Sequence, residues 1–453
     1  MKGWLPLHLF FYTSLIVSYF TNIFLHSQLL TYIIGILVLI CIVISFNGST
    51  RLFQVSGTIF FLIGLYLFFH AGYSIAELPY YVTSTVSILA ILYVVPFINS
   101  VIVVGRYDRS VSKLLNTDIR HLGQLYYRGS LVTFVLGGFL NLATIPLVES
   151  ILQKNLKGQA RELKNKLIAR MILRGYAVSL IITPMEVLVA ISIDITHISY
   201  QAFIPWLVLI SCIILILDWS LGWKLRSYSL EGPQGKRQEK DTTDILKKMA
   251  HLFFFLILFI VIVISTNHFF QFGFLPTVTL VIIPYSLIWA LLIGRLKSYL
   301  AYCLPVWKQR TVGLQNYMFL FLSVGLFTFI LKETDFVRYV HGPVESLMGT
   351  PILLFIAIQV LFLGLAMVGF HPLVTISILG SVLEPVVTTL NPLSVAIVLV
   401  TSGLATVMAG PFNVSVSLVG SLLQVNPYQV SWWNLGHAFL FGGIGTIIGL
   451  LLL

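Results

Sequence analysis

A few polar and helix-breaking residues set inside long apolar runs are the places where this sequence could do chemistry. Glu186 leads, in the run Thr183-Pro184-Met185-Glu186-Val187. A carboxyl at membrane depth is costly; it either pairs with a hydroxyl or backbone group or works as a proton or ion carrier near pH 7. Similar interruptions hold Asn141, Thr144 and Pro146, then His371, Pro372 and Thr375, then Gly410, Pro411, Asn413 and Ser415. Where a helix breaks, the N–H groups at the start of its second half favour anions, while freed carbonyls and side-chain oxygens suit Na+ or a proton. His371 belongs to the residue type that titrates in the physiological range, or it is simply a tip histidine in external water. A lone Thr, Ser or Asn is more often helix packing and a lone Pro a plain kink. Grouped around several breaks, these residues form a candidate substrate- or ion-binding set. Cys41, Cys212 and Cys303 lie far apart and offer neither metal-ligand spacing nor a disulfide framework. No catalytic nucleophile, metal site or cofactor motif appears, and the chain reads as a non-enzyme.

Composition identifies the elements that must hold these residues. Of 453 residues, 58% are hydrophobic and 9% charged, against roughly 25% charged in a soluble domain. The mean hydropathy is +0.97. Both a water-soluble globule and a disordered chain are excluded. A bilayer span needs about 20 apolar residues. Such runs occur at 4–25, 29–47, 52–71, 84–104, 129–153, 167–193, 202–222, 249–267, 272–293, 311–331, 352–385, 393–423 and 431–453. The first is too long for a signal-peptide core and reads as a retained helix. The longest polar loop, 223–248, leaves no room for an extramembrane domain. The +11 balance comes from loop residues and no Lys or Arg follows Arg338, so it orients a membrane protein rather than binding nucleic acid.

Loops 105–128, 154–170, 223–248 and 295–310 are basic and therefore cytoplasmic; 72–83 and 332–351, with Glu77, Glu333, Asp335 and Glu345, are external. This creates a conflict at 129–153, because both of its flanks are basic. Gly137, Gly138, Asn141 and Pro146 offer a resolution: a re-entrant hairpin that enters and leaves on the cytoplasmic side, its broken backbone satisfied by protein or a water-filled cavity. One kinked span that violates the charge rule is the simpler alternative. Arg174 reads as snorkelling from the basic loop, Asp194 and Asp218 as facing water near span ends, and 154–170 as an interfacial helix or a solvated linker. Glu149 either serves the site or turns back towards the cytoplasm.

The two halves of the chain resemble one another. Thr183-Pro184-Met185-Glu186-Val187 aligns with Gly410-Pro411-Phe412-Asn413-Val414, Pro146-Leu147-Val148 with Pro372-Leu373-Val374, and Tyr200-Gln201 with Tyr428-Gln429, at offsets of 226 to 228. The same offset carries span 84–104 onto 311–331, and the charge topology inverts between them. Segment 352–385 is too long for one span and suits a hairpin dipping in from outside. The architecture expected is all-α and polytopic, with about 11 transmembrane helices and two re-entrant hairpins in two inverted repeats, 29–222 and 249–453. They follow an extra N-terminal helix (1–28) and are joined by a cytoplasmic linker (223–248), with the N-terminus inside and the C-terminus outside. Pro184 and Pro411 are expected in the first turn of each second half-helix. Inverted repeats with broken helices mark secondary transporters, whose sites lie near the midplane.

This layout resembles the ion transporter superfamily, in particular its divalent-anion/sodium symporter and arsenite/sodium–proton antiporter branches. The resemblance covers nearly the whole chain and rests on architecture. The Ser-Asn-Thr signatures of the dicarboxylate branch are absent; Asn141-Leu142-Ala143-Thr144, Thr183-Pro184-Met185-Glu186, His371-Pro372 and Gly410-Pro411-Phe412-Asn413 stand at those places. The resemblance implies scaffold helices at 29–104 and 249–331, hairpins at 129–153 and 352–385, broken helices at 167–193 and 393–423, and closing helices at 202–222 and 431–453. It also implies an elevator mechanism and a homodimer joined through the scaffold.

The function expected is secondary transport of a small solute or ion, anionic by the logic of helix N-termini, coupled to Na+ or H+ and located in a bacterial plasma membrane. A lipid-carrier flippase, or a membrane enzyme acting on polyprenyl-linked substrates, is the competing class. The first would need a long groove of paired charges and the second a substantial charged external loop. Single cysteines at Gln124, Gln159 and Ser346 on a cysteine-free background test the topology. In intact cells, an impermeant thiol reagent should label Ser346→Cys and spare the other two; labelling of only one of Gln124→Cys and Gln159→Cys would make 129–153 a plain span.

Overall fold

The computed structural model describes residues 5–115, 119, 121–228, 239–333, 342, 344 and 346–453. Residues 1–4 of the N-terminal segment, 229–238 of the linker and most of the acidic loop 334–345, including Asp335, Arg338 and Glu345, lie outside the described residues. The described chain is α-helical with no β-strand. Among the described residues, ten helical segments are long and apolar enough to cross a membrane, or eleven when Leu296–Val312 and Gln315–Leu331, bent by 53°, count as one span. The chain is an all-α polytopic membrane protein.

In chain order the helices are α1 Leu5–Leu25, α2 Gln28–Phe46, α3 Arg51–His70, α4 Leu78–Tyr81, α5 Val86–Val104, α6 Tyr107–Ser112, α7 Leu122–Leu140, α8 Thr144–Asn155, α9 Arg161–Ile181, α10 Val187–Thr196 and α11 Tyr200–Trp223. They continue as α12 Glu239–Phe270, α13 Phe274–Leu292, α14 Leu296–Val312, α15 Gln315–Lys332, α16 Pro351–Met367, α17 Pro372–Val382, α18 Glu384–Thr389, α19 Pro392–Ala409, α20 Val414–Leu423 and α21 Pro427–Leu451. Two segments expected to be loops or linkers are helical. The basic stretch 295–310 forms most of α14, which buries only Tyr299, Cys303 and Thr311. Its apolar residues recur at helical spacing among the charges. The run 161–170 is not a linker but helical, the first half of α9.

Contacts divide the chain into two compact units, each drawn from both halves of the sequence. The first comprises Met1–Val101, Ile262–Gly349 and Val374–Thr389. Within it α3 lies against α15 because glycines remove side chains from the contact. A Cβ on Gly57 would sit 2.5 Å from the Phe319 ring, and one on Gly64 would sit 3.0 Å from the Phe327 backbone nitrogen. The Thr85 hydroxyl donates to the Phe321 carbonyl at 2.8 Å and Ser84 to that of Gly325 at 2.9 Å.

The second unit comprises Ile102–Val261, Thr350–Leu373 and Leu390–Leu453. Segment 122–155 folds back on itself here. Gly129 and Leu152 would lie about 35 Å apart in one straight helix, yet a Cβ on Gly129 would be 3.4 Å from Leu152 Cδ2. At the far end, the Asn155 amide donates to the Leu115 carbonyl at 3.0 Å, beside the start of α7. The turn is made at Asn141, with φ +51° and ψ −136°, close to the first corner of a type II′ turn. Gly137 and Gly138 do not break the helix, as expected from their sequence; they lie inside α7 and let it approach α9. A Cβ on Gly137 would be 2.4 Å from Ser179 Oγ.

At the expected second hairpin, 352–385, the two arms fall in different units. The chain turns between α16 and α17 at Gly369, φ +106°, but α16 belongs to the second unit and nearly all of α17 to the first. At Gly35, a Cβ would fall 1.9 Å from the Pro79 carbonyl oxygen, which as backbone cannot rotate away. Gly35→Ala should therefore lower stability by about 1–3 kcal/mol. Gly443→Ala, which faces open space, should be neutral or stabilise by up to about 1 kcal/mol. Unfolding in detergent, followed by circular dichroism, measures both.

Candidate functional site

The second unit contains two interrupted helices. The first stops at Ile181 and resumes at Val187 as α10; the second stops at Ala409 and resumes at Val414 as α20. Landmarks around them recur 227 residues apart. Glu186 and Asn413 are N-caps, His197 and Gln424 are left-handed C-caps at φ +55° and +54°, and Ser199 and Asn426 cap the helices that follow. The first halves are enclosed on all sides: every residue from Met171 to Ile181 and from Ser394 to Ala409 is buried. The two interrupted helices run antiparallel. Near the start of α9, Asn165 donates to the Leu423 carbonyl at the end of α20 at 3.4 Å, while Leu188 of α10 would meet a Cβ on Gly403 of α19 at 3.3 Å. In that register the centres of the two breaks are offset by about one to two helical turns.

The breaks are closed differently. At the first, Pro184 is buried, and the Thr183 hydroxyl lies 2.8 Å from the Ser179 carbonyl and 3.3 Å from that of Gly138 in the hairpin. Glu186 is half-buried; its N–H donates to the Thr183 carbonyl at 3.0 Å, and its carboxylate accepts from the Leu188 N–H at 3.5 Å. At the second, the Gly410 N–H donates to Thr406 at 2.7 Å and Asn413 Oδ1 accepts from the Ser415 N–H at 3.3 Å. The buried Ser415 hydroxyl reaches across the break to the Val407 carbonyl at 2.5 Å, and Ser417 to that of Pro411 at 3.0 Å. Pro184 and Pro411 are thus not first-turn residues. They lie in the gaps, where proline holds the residue before it out of helical conformation and the acceptor side chains of Glu186 and Asn413 start the next helix.

The hairpin tip meets the first break. Asn141 Oδ1 accepts from its neighbour Leu142 N–H at 2.7 Å and from the Tyr176 hydroxyl of α9. Thr144 is fully buried, its hydroxyl without a hydrogen-bond partner among the described residues. Pro146 is exposed in the first turn of α8, where proline is tolerated. Glu149 is buried on α8. Near the second break, a Cβ on Gly410 would lie 3.2 Å from Ala366 Cβ of α16, and exposed Phe412 packs edge-on against Tyr428 at 5.9 Å. His371 is half-buried rather than exposed. Its Nδ1 accepts from the Leu373 N–H at 3.3 Å where α17 begins at Pro372. Thr375 is buried with an unpartnered hydroxyl, but it belongs to the other unit.

Two sequence expectations are overturned on α9 and α11. Arg174 does not snorkel and Asp218 does not face water: they are 6% and 2% exposed and pair at 2.9 Å. Asp218 also accepts from the Tyr126 hydroxyl at 2.7 Å and from Ser130 at 3.4 Å. Arg174 donates further to Asn434 Oδ1 at 3.2 Å and to the Trp433 carbonyl at 3.4 Å. Burial leaves the two charges no partner but each other and these hydrogen bonds. The signal was present, since an intramembrane Arg and Asp are expected to pair, but a separation of 44 residues hid it. Asp194 does stand exposed, at the end of α10. Among the described residues no group of His, Cys, Asp and Glu could hold a metal ion.

No protein-family model matches the chain, and no curated protein matches it in sequence. Its fold is nonetheless similar to solved structures. Against the YdaH transporter of Alcanivorax borkumensis, described as having an unusual topology, the TM-score is 0.61 at 11% identity, covering 87% of this chain and 97% of that one. Against MtrF of Neisseria gonorrhoeae, described with a class of antimetabolite efflux pumps, it is 0.55 at 11% identity, covering 87% and 94%.

The ion pair makes a clear prediction. Arg174→Gln alone should destabilise the chain by about 3–5 kcal/mol, because Asp218 is left buried and charged, whereas Arg174→Met with Asp218→Leu should recover most of that loss. A double-mutant cycle of denaturant unfolding in micelles decides it; equal losses in single and double variants would count against a buried pair.

Proposed function

We propose that this chain is a secondary active transporter that moves a small anionic solute across a bacterial plasma membrane, coupled to Na+ or H+. Its halves 29–222 and 249–453 are read as inverted repeats, with the N-terminus inside and the C-terminus outside. The observation that carries the proposal is the pair of antiparallel interrupted helices in one unit, their breaks about one to two helical turns apart. Broken backbone at depth is tolerated only where protein or a water-filled path satisfies it, and paired breaks of this kind form the midplane sites of secondary transporters. Similarity of fold to two transporters supports the same reading.

The two breaks differ in charge, and this divides the roles. At α10 the helix N-terminus is met by the Glu186 carboxylate, which repels an anion and attracts a cation or proton. At α20 the cap is neutral Asn413, so the partial positive charge of that N-terminus remains available to an anion. The coupling ion is accordingly placed near Glu186 and Thr183, and the solute near Gly410, Asn413 and Ser415, with Asn141 and Thr144 of the hairpin and His371 beside them. In an elevator mechanism the unit carrying both breaks travels, and the unit built on α3 and α15 stays fixed. A homodimer joined through the latter is the assembly this reading implies.

The Neisseria neighbour is described with antimetabolite efflux pumps, which makes small organic acids and antimetabolites the first solutes to try. In proteoliposomes under imposed Na+ or pH gradients, at least one such anion should give a gradient-dependent flux, and Glu186→Gln should abolish its dependence on the gradient while Asp194→Asn should not. If the flux is cation-selective, the assignment of the second break to an anion fails. If no solute moves under either gradient, the transporter reading fails.

A further inference from the structure

The cations where α8 gives way to α9 have almost no acid to answer them. The stretch 154–166 carries Lys154, Lys157, Arg161, Lys164 and Lys166 against the single acid Glu162. Lys154, Lys157 and Arg161 are exposed, and Lys164 and Lys166 are half-buried. None of these basic side chains makes a hydrogen bond or an ion pair among the described residues. Glu162 can offset Lys166, its i+4 neighbour, but Arg161 and Lys164 are like charges about 5–6 Å apart on one helix face. That spacing is inside the Debye length of about 8 Å, so water and salt leave much of the repulsion in place. Of the acids on neighbouring elements, Glu149 of α8 is buried and Asp108 of α6 half-buried.

The backbone that displays these cations is fixed. Leu156 is fully buried and its N–H donates to the Leu152 carbonyl at 3.0 Å, while the Asn155 amide holds the Leu115 carbonyl at the same distance. Asn165 is buried and donates to the Leu423 carbonyl. The charges therefore stand on a packed surface rather than on a loose loop. Two exposed tryptophans mark its depth, because exposed Trp on a membrane protein settles at headgroup level. Trp432 is 76% exposed and adjoins Trp433, whose carbonyl accepts from Arg170 Nε at 3.1 Å. Arg170 lies roughly 14 Å along α9 from Arg161, so the cations begin just outside the level of Trp432. Trp223, 66% exposed at the end of α11, stands by the start of α7, where the Leu122 N–H donates to the Tyr228 carbonyl at 2.9 Å.

We propose that the α8–α9 junction binds the headgroups of anionic phospholipids in the leaflet it faces, through Lys154, Lys157, Arg161 and Lys164. The proposal goes beyond the transport reading, and no property of the solute enters into it. Charge complementarity names the occupant. An anionic leaflet presents a dense sheet of phosphates at the depth the tryptophans mark, and clusters of four to eight Lys and Arg beside a span attract such a leaflet. Lysine, a point charge on a flexible stem, meets a moving headgroup without demanding one geometry. The surface lies at the base of the first hairpin, on the unit that carries both breaks. Leaflet charge therefore acts on the unit proposed to travel.

The test is spin-label resonance of the full chain in phosphatidylcholine vesicles holding a trace of spin-labelled phosphatidylglycerol or phosphatidylcholine, the immobilised fraction measuring association. Phosphatidylglycerol should be preferred about threefold or more at low salt, and the preference should shrink in about 0.5 M NaCl. Lys154→Gln/Lys157→Gln/Arg161→Gln should remove most of it, while the charge-preserving Lys154→Arg/Lys157→Arg/Arg161→Lys should keep it. Lys297→Gln/Lys308→Gln/Arg310→Gln, which neutralises exposed cations of α14 in the first unit, should also keep it. No preference in the native chain, or equal loss in the two neutralised variants, overturns the proposal. So does inorganic phosphate that displaces the label more than NaCl at the same ionic strength, because the ligand is then a free anion. Flux in proteoliposomes separates this from the transport reading. Lipid preference without flux of any solute upholds the surface and overturns the transporter; flux without lipid preference does the reverse.

Discussion

Inside a bilayer no water is at hand to satisfy a backbone N–H or C=O, so a helix can be interrupted only where protein supplies the missing partners. The rest of the second unit follows from that constraint. Both interrupted helices have first halves enclosed on every side. A hydroxyl serves each gap, Thr183 bonding back to Ser179 and across to Gly138 of the hairpin and Ser415 reaching over its break to Val407, and carboxylate or amide caps start each second half. Glycines at 137, 138, 403 and 410 bring neighbouring backbones close enough to do this.

The halves share geometry and differ in charge. Equivalent caps are Glu186 and Asn413, and the buried ion pair Arg174–Asp218 stands where the other half packs Thr401 against Gly445. The two interrupted helices thus present similar caps at their breaks. Single substitutions then decide which one carries charge. Because a buried charge needs a specific partner while a neutral contact needs only shape, the ion pair has the larger polar network, drawing in Tyr126, Ser130 and Asn434.

Much of this was legible in the residues. The spans were visible as apolar runs of bilayer length, the fold-back at 122–155 as a long segment with basic residues on both flanks, and the breaks as matched prolines 227 residues apart. Glu186 stood out as a carboxyl where lipid allows few. Less legible were the details set by contact. The prolines lie in the gaps rather than in the helices, since the caps one or two residues later decide where each helix begins. Gly137 and Gly138 look like helix breakers but serve close packing. The stretch 295–310 carries four basic residues and still forms a helix, because its apolar residues share a face.

The sequence by itself determined the membrane, most of the long apolar helices, the fold-back and the position of the breaks. Each depends on hydrophobicity, charge counts or proline chemistry, which act locally along the chain. Only the tertiary structure decided what the ionisable groups do. Arg174 read as a snorkelling side chain and Asp218 as a water-facing one, yet each is buried on the other. The fate of a charge depends on which helices meet, and the residues that meet here are separated by 44 and by more than two hundred positions. No local pattern records such an encounter.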